Sequence, residues 1–319
     1  KLNGALLGVG AIGILISLCY MFGLFGEERQ HQFAYSWLFS FFLLFTLTCG
    51  GIFWTMLQHI TNAGWSVVVR RLFENLGASI ALVGIFALPL IFNVGHMQES
   101  LWEWIGIHRI AAAHAHGDAK EGLEEMIKVN PKAHIMVAKY GYLNITSWTV
   151  RFVGYFVFLS LLMGALRKWS VKQDTDGDFR HTFRCRAFCA FPLLLYGLTV
   201  TFAAVDWVMS MDYTWFSTMW GVYIFAGGAW SGMAFSILLL SWVRGQGYLK
   251  KTVNMEHYHL MGKLLLAFTI FWAYIAFAQF FLIWYANITE ETRFYLIRNT
   301  GGWWYIGSWG LVLCHFVIT

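Results

Sequence analysis

Charge is scarce in this sequence. Only 12% of its 319 residues are charged, about half of the roughly 25% usual in a soluble domain. Proline occurs three times. The apolar share of 58% excludes intrinsic disorder, collagen, coiled coils and small disulfide-rich scaffolds. The net charge of +5 is modest, and no basic stretch falls outside the loops that flank apolar runs. A nucleic-acid-binding role is therefore excluded. The five cysteines (Cys19, Cys49, Cys185, Cys189 and Cys314) form no CxxC pair. They read as thiols acting as small hydrophobes, with no motif for c-type haem or an iron–sulfur cluster. Haem b in a helix bundle needs axial histidines deep in the bilayer, usually paired across two helices. Of eleven histidines, only His315 lies clearly inside an apolar run, which argues against a two-haem cytochrome b. His114 and His116, at i and i+2, are a weak metal signal that fits solvated loop histidines. No metal site is assigned.

Long apolar runs dominate what is present. Eight of them, near 4–25, 33–59, 65–94, 146–166, 185–211, 214–243, 259–287 and 301–319, are long enough to cross a bilayer. Barrel strands need only about ten alternating residues, so these runs predict helices. The expected fold is all-α: a polytopic transmembrane helix bundle, one integral membrane domain over residues 1–319. Orientation follows from Lys and Arg. Arg167, Lys168, Lys172, Arg180, Arg184 and Arg186 share one loop, and Arg244, Lys250 and Lys251 another. Two helices separate these loops, so both fall on one side, with Arg70 and Arg71; that side is taken as cytoplasmic. An N-terminus on the same side places Glu27, Glu28, the turn Met211–Tyr213 and Glu290–Glu291 opposite. The segment 95–145 then becomes a periplasmic extramembrane piece. Its stretch His114–Val129 predicts a short helix, either plainly solvated or a docking surface for an external partner. The chain begins at Lys1 and ends at Thr319 within an apolar run; residues are expected to be missing at both ends.

Ionisable groups within spans are costly and mark pathways or pairs. Glu74 follows Arg70 and Arg71 by four and three residues, on one helical face. It reads either as a structural ion pair or as the inner mouth of a proton path. His259 and Lys263 share a face at the start of the seventh run, where Lys263 can snorkel. Asp206 is the sharpest candidate, about twenty residues into the fifth run and so in the outer half. The competing reading is solvation at a helix end, which suits Asp212 better. Gln279 lies at a similar depth, Tyr285 lies beyond it, and Arg151 on the fourth helix could pair with Asp206. An inner set (Glu74, His259, Lys263) and an outer set (Asp206, Gln279, Arg151) would suit two proton half-paths or a quinone headgroup site. Position alone leaves both open. The aromatic seventh run offers packing or lipid-facing rings, or a groove for an isoprenoid tail; Trp207, Tyr274 and Tyr285 are the quinone candidates. Trp303 and Trp304 read as an interfacial belt, and Pro89 and Pro192 as bends. Asn144-Ile-Thr and Asn287-Ile-Thr fit glycosylation sequons.

Three separated motifs carry a family resemblance. The first is Asp206-Trp-Val-Met-Ser-Met-Asp212, continuing Trp215-Phe-Ser-Thr218. The second is His259-Leu-Met-Gly-Lys263, followed by Phe271-Trp-Ala-Tyr274 and Gln279-Phe-Phe-Leu-Ile-Trp-Tyr-Ala-Asn287. The third is Lys139-Tyr-Gly-Tyr142-Leu-Asn144 with Arg151. From about residue 40 onward the chain resembles a polytopic membrane subunit of bacterial alternative complex III, the quinol:cytochrome c oxidoreductase, most of all its quinone-binding subunit 2. The resemblance implies a fold related to polysulfide-reductase membrane subunits, with two four-helix bundles plus extra helices and about ten spans. It implies a bacterial inner-membrane location, against which the sequons are discounted. It implies menaquinol or ubiquinol as the reductant of the complex, and haem c and iron–sulfur clusters in partner subunits. Those partners would be multihaem and monohaem cytochrome c subunits, an iron–sulfur subunit and a paralogous polytopic subunit that carries the quinol site. This chain would hold no redox centre and would be a candidate for proton translocation. The stretch His114–Val129 is longer than the family pattern. The rival expectations are a quinol site in this chain, a stand-alone secondary transporter, and a scaffold that only anchors partners.

Overall fold

A computed structural model describes residues 2–115, 117–126 and 133–317. Among them all regular structure is helical: α1 (Leu2–Met21), α2 (Glu27–Ile60), α3 (Arg70–Ala78), α4 (Ile80–Ile91), α5 (Met97–Leu101), α6 (Glu103–His114), α7 (Ala119–Met126), α8 (Ala133–Lys139), α9 (Ile145–Asp176), α10 (Arg180–Trp207), α11 (Trp220–Gly245), α12 (Met255–Ala286), α13 (Thr289–Asn299) and α14 (Trp303–Val312). His116 and residues 127–129 of the stretch His114–Val129 lie outside the described residues.

Among the described residues, six helical stretches are long and apolar enough to cross a membrane: Glu27–Ile60, Arg70–Ile91, Ile145–Asp176, Arg180–Met211, Trp220–Gly245 and Met255–Ala286. The chain is accordingly a multi-pass membrane protein in character. The first apolar run forms α1, and the last forms α14 and a π-helical turn, Leu313–Val317. The third run is two helices, not one. At its break the Ser79 hydroxyl donates to the Leu76 carbonyl at 2.6 Å, drawing the backbone into a local turn. The long helices have chemical stops. α12 opens on a capping box of Asn254 and His257 and ends at Asn287, whose φ of 49° is left-handed.

The chain forms two compact, interleaved units. The first comprises Lys1–Leu43, Val83–Phe152 and Met211–Tyr213. Its short helices are fastened by side chains that serve free helix-end carbonyls. Gln98 Nε2 donates to the carbonyls of Leu90 and Ile91 at 2.8 and 3.0 Å, closing the end of α4. Gln30 Nε2 reaches the carbonyls of Met21 and Gly95. Trp102, Trp148 and Phe152 pack edge to face, with ring centres 4.9 and 5.0 Å apart. α6 and α7 meet so closely that a Cβ on Gly122 would stand 2.1 Å from the Ala111 carbonyl oxygen.

His108 of α6 is buried between the rings of Trp104 and Tyr140. Burial lowers its pKa from 6.5 to about 4. Between those values the unfolded segment binds a proton that the folded one refuses. Stability is therefore full above pH 6.5 and falls as the pH drops toward 4. The loss should reach on the order of 2 kcal/mol, less than the full linkage value because the ring keeps some solvent screening. Amide exchange in α6, corrected for its intrinsic rate, should quicken between about pH 7 and 5. His108→Leu should flatten that profile; a flat wild-type profile would refute the assignment.

The second unit comprises Leu44–Leu82, Val153–Ser210 and Thr214–Thr319. Its core is built on glycine contacts and buried indole and phenol donors. A Cβ on Gly50 would lie 2.2 Å from the Gly228 carbonyl oxygen, and one on Gly51 would lie 2.7 Å from the Gly77 nitrogen. Small residues at such places let membrane helices approach closely. Trp54 Nε1 donates to the Ala229 carbonyl and Tyr196 to the Cys49 carbonyl, both at 2.8 Å. Trp230 Nε1 donates to Thr269 Oγ1 at 2.8 Å, tying α11 to α12.

Candidate functional site: two buried carboxylates held from one helix

The second unit buries two carboxylates, Asp206 and Glu74, each less than 2% exposed. Both are held by hydroxyl groups from α9. Tyr155 donates to Asp206 Oδ2 at 2.6 Å, within the range of a hydrogen bond to an ionised acceptor. Ser170 donates to Glu74 Oε1 at 2.7 Å. Fifteen residues separate the two hydroxyls, which is about 22 Å along the axis and only about 60° in rotation. One face of α9 thus presents two acid sites well apart along its length.

At one end Asp206 closes α10 with no exposed surface, so the solvated helix-end reading is overturned. The Ser210 hydroxyl donates to the Asp206 backbone carbonyl at 2.6 Å, satisfying a C-terminal carbonyl where α10 stops. Trp207 is buried beside it. Its indole lies 4.7 Å from the Phe45 ring, 5.8 Å from Tyr155 and 5.9 Å from Phe156. These rings exclude water from around the Tyr155–Asp206 pair.

At the other end Glu74 accepts from Arg71 Nη1 at 2.7 Å and faces Arg70 Nε at 3.6 Å, as the i, i+3 and i, i+4 spacing predicts. Arg71 also pairs with Asp174 near the end of α9, and Arg167 hydrogen-bonds Asn75. Between the two ends α9 buries Leu159, Leu162, Met163 and Leu166. None carries a polar group, so the two acids are separated along this helix by a dry apolar layer.

The candidates on α12 do not join these sites. His259 and Lys263 are exposed on α12, and among the described residues neither bonds or pairs with Glu74. The inner set is therefore not assembled, for a geometric reason. α12 buries Met261, and residues two positions either side of it lie about 160° away around the helix. Gln279 is buried on α12 without a side-chain hydrogen bond among the described residues. Arg151 belongs to the first unit, where its guanidinium lies 3.8 Å from the centre of the Tyr142 ring. The three quinone candidates do not converge either: Trp207 is fully buried, whereas Tyr274 and Tyr285 are 65% and 76% exposed.

The two hydroxyls that hold these carboxylates escaped the sequence reading. Tyr155 follows Arg151 by four residues and precedes Ser170 on the same helix, a spacing that was available. A third group stands out in the first unit. Lys139, from the Lys139–Asn144 motif, donates to the Tyr213 carbonyl at 2.7 Å. Burial holds its ammonium below the usual lysine range, and Asp212 partly opposes that shift. Among the described residues no group of three or more metal-ligating side chains gathers.

No protein-family model matches the chain. A search of curated proteins finds no match either.

Proposed function

We propose that this chain is an integral membrane subunit of a quinol-oxidising respiratory complex of the alternative complex III type. In this reading it carries no redox centre and contributes a proton path and a scaffold. The observation that supports it most is the buried Asp206, fastened by Tyr155 and opening the motif on which the family resemblance chiefly rests. A fully buried carboxylate in an apolar span is costly, and a phenol donor beside it is a ready proton relay. Glu74 with Arg70, Arg71 and Ser170 supplies the second station.

The finer architecture belongs to the same proposal. Eight spans would be present here out of about ten, in two four-helix bundles plus extra helices. The membrane would be a bacterial inner membrane with the amino terminus cytoplasmic. Haem c and iron–sulfur clusters would reside in cytochrome and iron–sulfur partners, and menaquinol or ubiquinol would be oxidised in the paralogous subunit. The exposed positions of Tyr274 and Tyr285 favour that placement over a quinol site in this chain.

Two measurements test this. Purification of the tagged chain in mild detergent should bring c-type haem and an iron–sulfur partner with it, seen in the redox spectrum and by mass spectrometry. In reconstituted liposomes Asp206→Asn should lower proton release per quinol at least about tenfold while quinol oxidation continues. Recovery of a lone, haem-free protein would overturn the complex. An Asp206→Asn variant with both activities intact would overturn the proton path.

A further inference from the structure

We propose that the corner where α11 meets α12 binds the headgroup of an anionic phospholipid, whose acyl chain lies along the outer face of α12. Two adjoining depressions of about 600 and 760 Å³ open there and share Met255 and Tyr258. Arg244 and Lys250 line the first and Lys263 lines the second. The Arg244 guanidinium sits 5.7 Å from the centre of the Tyr258 ring, which holds it over the corner. Among the described residues none of these three cations makes an ion pair. One carboxylate, Glu256, lines the same surface. Three unneutralised cations around one corner call for an anion.

The apolar half of the site identifies which anion. Lys263 begins a stripe on α12 that continues through Leu266, Ile270, Tyr274 and Phe277 at steps of three, four, four and three residues. All four of those residues are between 54% and 65% exposed. From Lys263 to Phe277 the stripe runs about 21 Å, the reach of an extended acyl chain. A soluble phosphate or nucleotide would use the cations and leave the stripe uncovered. A phospholipid uses both, with its phosphodiester at the level of the helix ends and its chain along the span. The same geometry gives Lys263 a role: its stem lies along apolar surface while its ammonium meets the headgroup.

This site does not depend on the respiratory-complex reading, and either can fail alone. The test uses the purified full chain in native mass spectrometry, with phosphatidylglycerol and phosphatidylcholine as competing probes. Phosphatidylglycerol should be retained on the order of a hundredfold better. Each of Arg244→Gln, Lys250→Gln and Lys263→Gln should cost about fivefold of that preference. The triple variant should abolish it, while Lys168→Gln/Lys172→Gln near the end of α9 should keep it. Single variants serve if the triple variant does not fold. Equal retention of the two lipids, or an unchanged preference in the variants, overturns the proposal. Displacement of phosphatidylglycerol by millimolar inorganic phosphate overturns the lipid in favour of a free anion.

Discussion

Gly50→Leu should prevent α2 and α11 from packing, and Gly50→Ala should already cost about 3 kcal/mol or more. The reason is contact with backbone, which cannot move aside. An added Cβ would meet the Gly228 carbonyl oxygen at 2.2 Å and the Gly232 Cα at 2.9 Å. No rotamer relieves a clash made by the Cβ itself. The helices must separate, and separation weakens the Trp54–Ala229 and Tyr196–Cys49 bonds nearby. In detergent, thermal unfolding should fall by roughly 8 °C for the alanine variant. The leucine variant should show no cooperative transition. Gly164→Ala is the control: nothing stands within 4 Å of its Cβ, and alanine is the better helix former by about 1 kcal/mol. It should be neutral or slightly stabilising. A Gly50→Leu protein melting with the wild type would show that the two helices do not approach as described.

Glu74→Gln should be the most damaging of the charge substitutions, at about 2–3 kcal/mol. Breaking a buried pair by removing one partner costs about 3–5 kcal/mol. The smaller figure applies because Arg71 is 35% exposed and can turn fully to Asp174. Arg70, at 18% exposure, has no such second carboxylate. Removing Arg71 as well should restore part of the loss, so a Glu74→Gln/Arg71→Gln cycle should give a coupling of about 1–2 kcal/mol. The Lys120–Glu124 pair offers the contrast. Both of its members are more than half exposed, with 3.8 Å between charged atoms. Its removal should change stability by under about 0.5 kcal/mol. Equal effects at the two pairs, read from chemical denaturation, would remove the distinction between a buried and a solvated ion pair here.

Six of the eight expected spans were legible as long apolar helices, because run length and apolarity act through the bilayer's thickness, which no tertiary contact alters. The pairing of Glu74 with Arg70 and Arg71 was legible for a similar reason, since it is local and set by helical pitch. The partners Tyr155 and Ser170 were not. Hydroxyl residues are common in apolar helices, and which of them meets a carboxylate depends on the rotation of α9 against its neighbours. The separation of His259 and Lys263 from Glu74 has the same origin. Their depth suited an inner proton set, but α12 turns them outward, opposite Met261. The glycine contacts could have been read. Gly228 and Gly232 on α11 carry the GxxxG spacing of close helix pairs, and Gly50–Gly51 stand opposite.

The apolar layer on α9 between Tyr155 and Ser170 has an electrical meaning. A charge that moves through low-dielectric material does electrical work in proportion to the share of the transmembrane voltage along its path. That material is the buried sequence Leu159, Leu162, Met163 and Leu166. A unit charge carried between the level of Asp206 and that of Glu74 would therefore cross a share of the membrane voltage, out of a full work of about 2.3 kcal/mol per 100 mV. Both carboxylates are themselves buried, so the rest of that work would fall between each acid and its nearer aqueous side. The two acids would act as terminals, and the four apolar residues between them as the dielectric of a molecular capacitor.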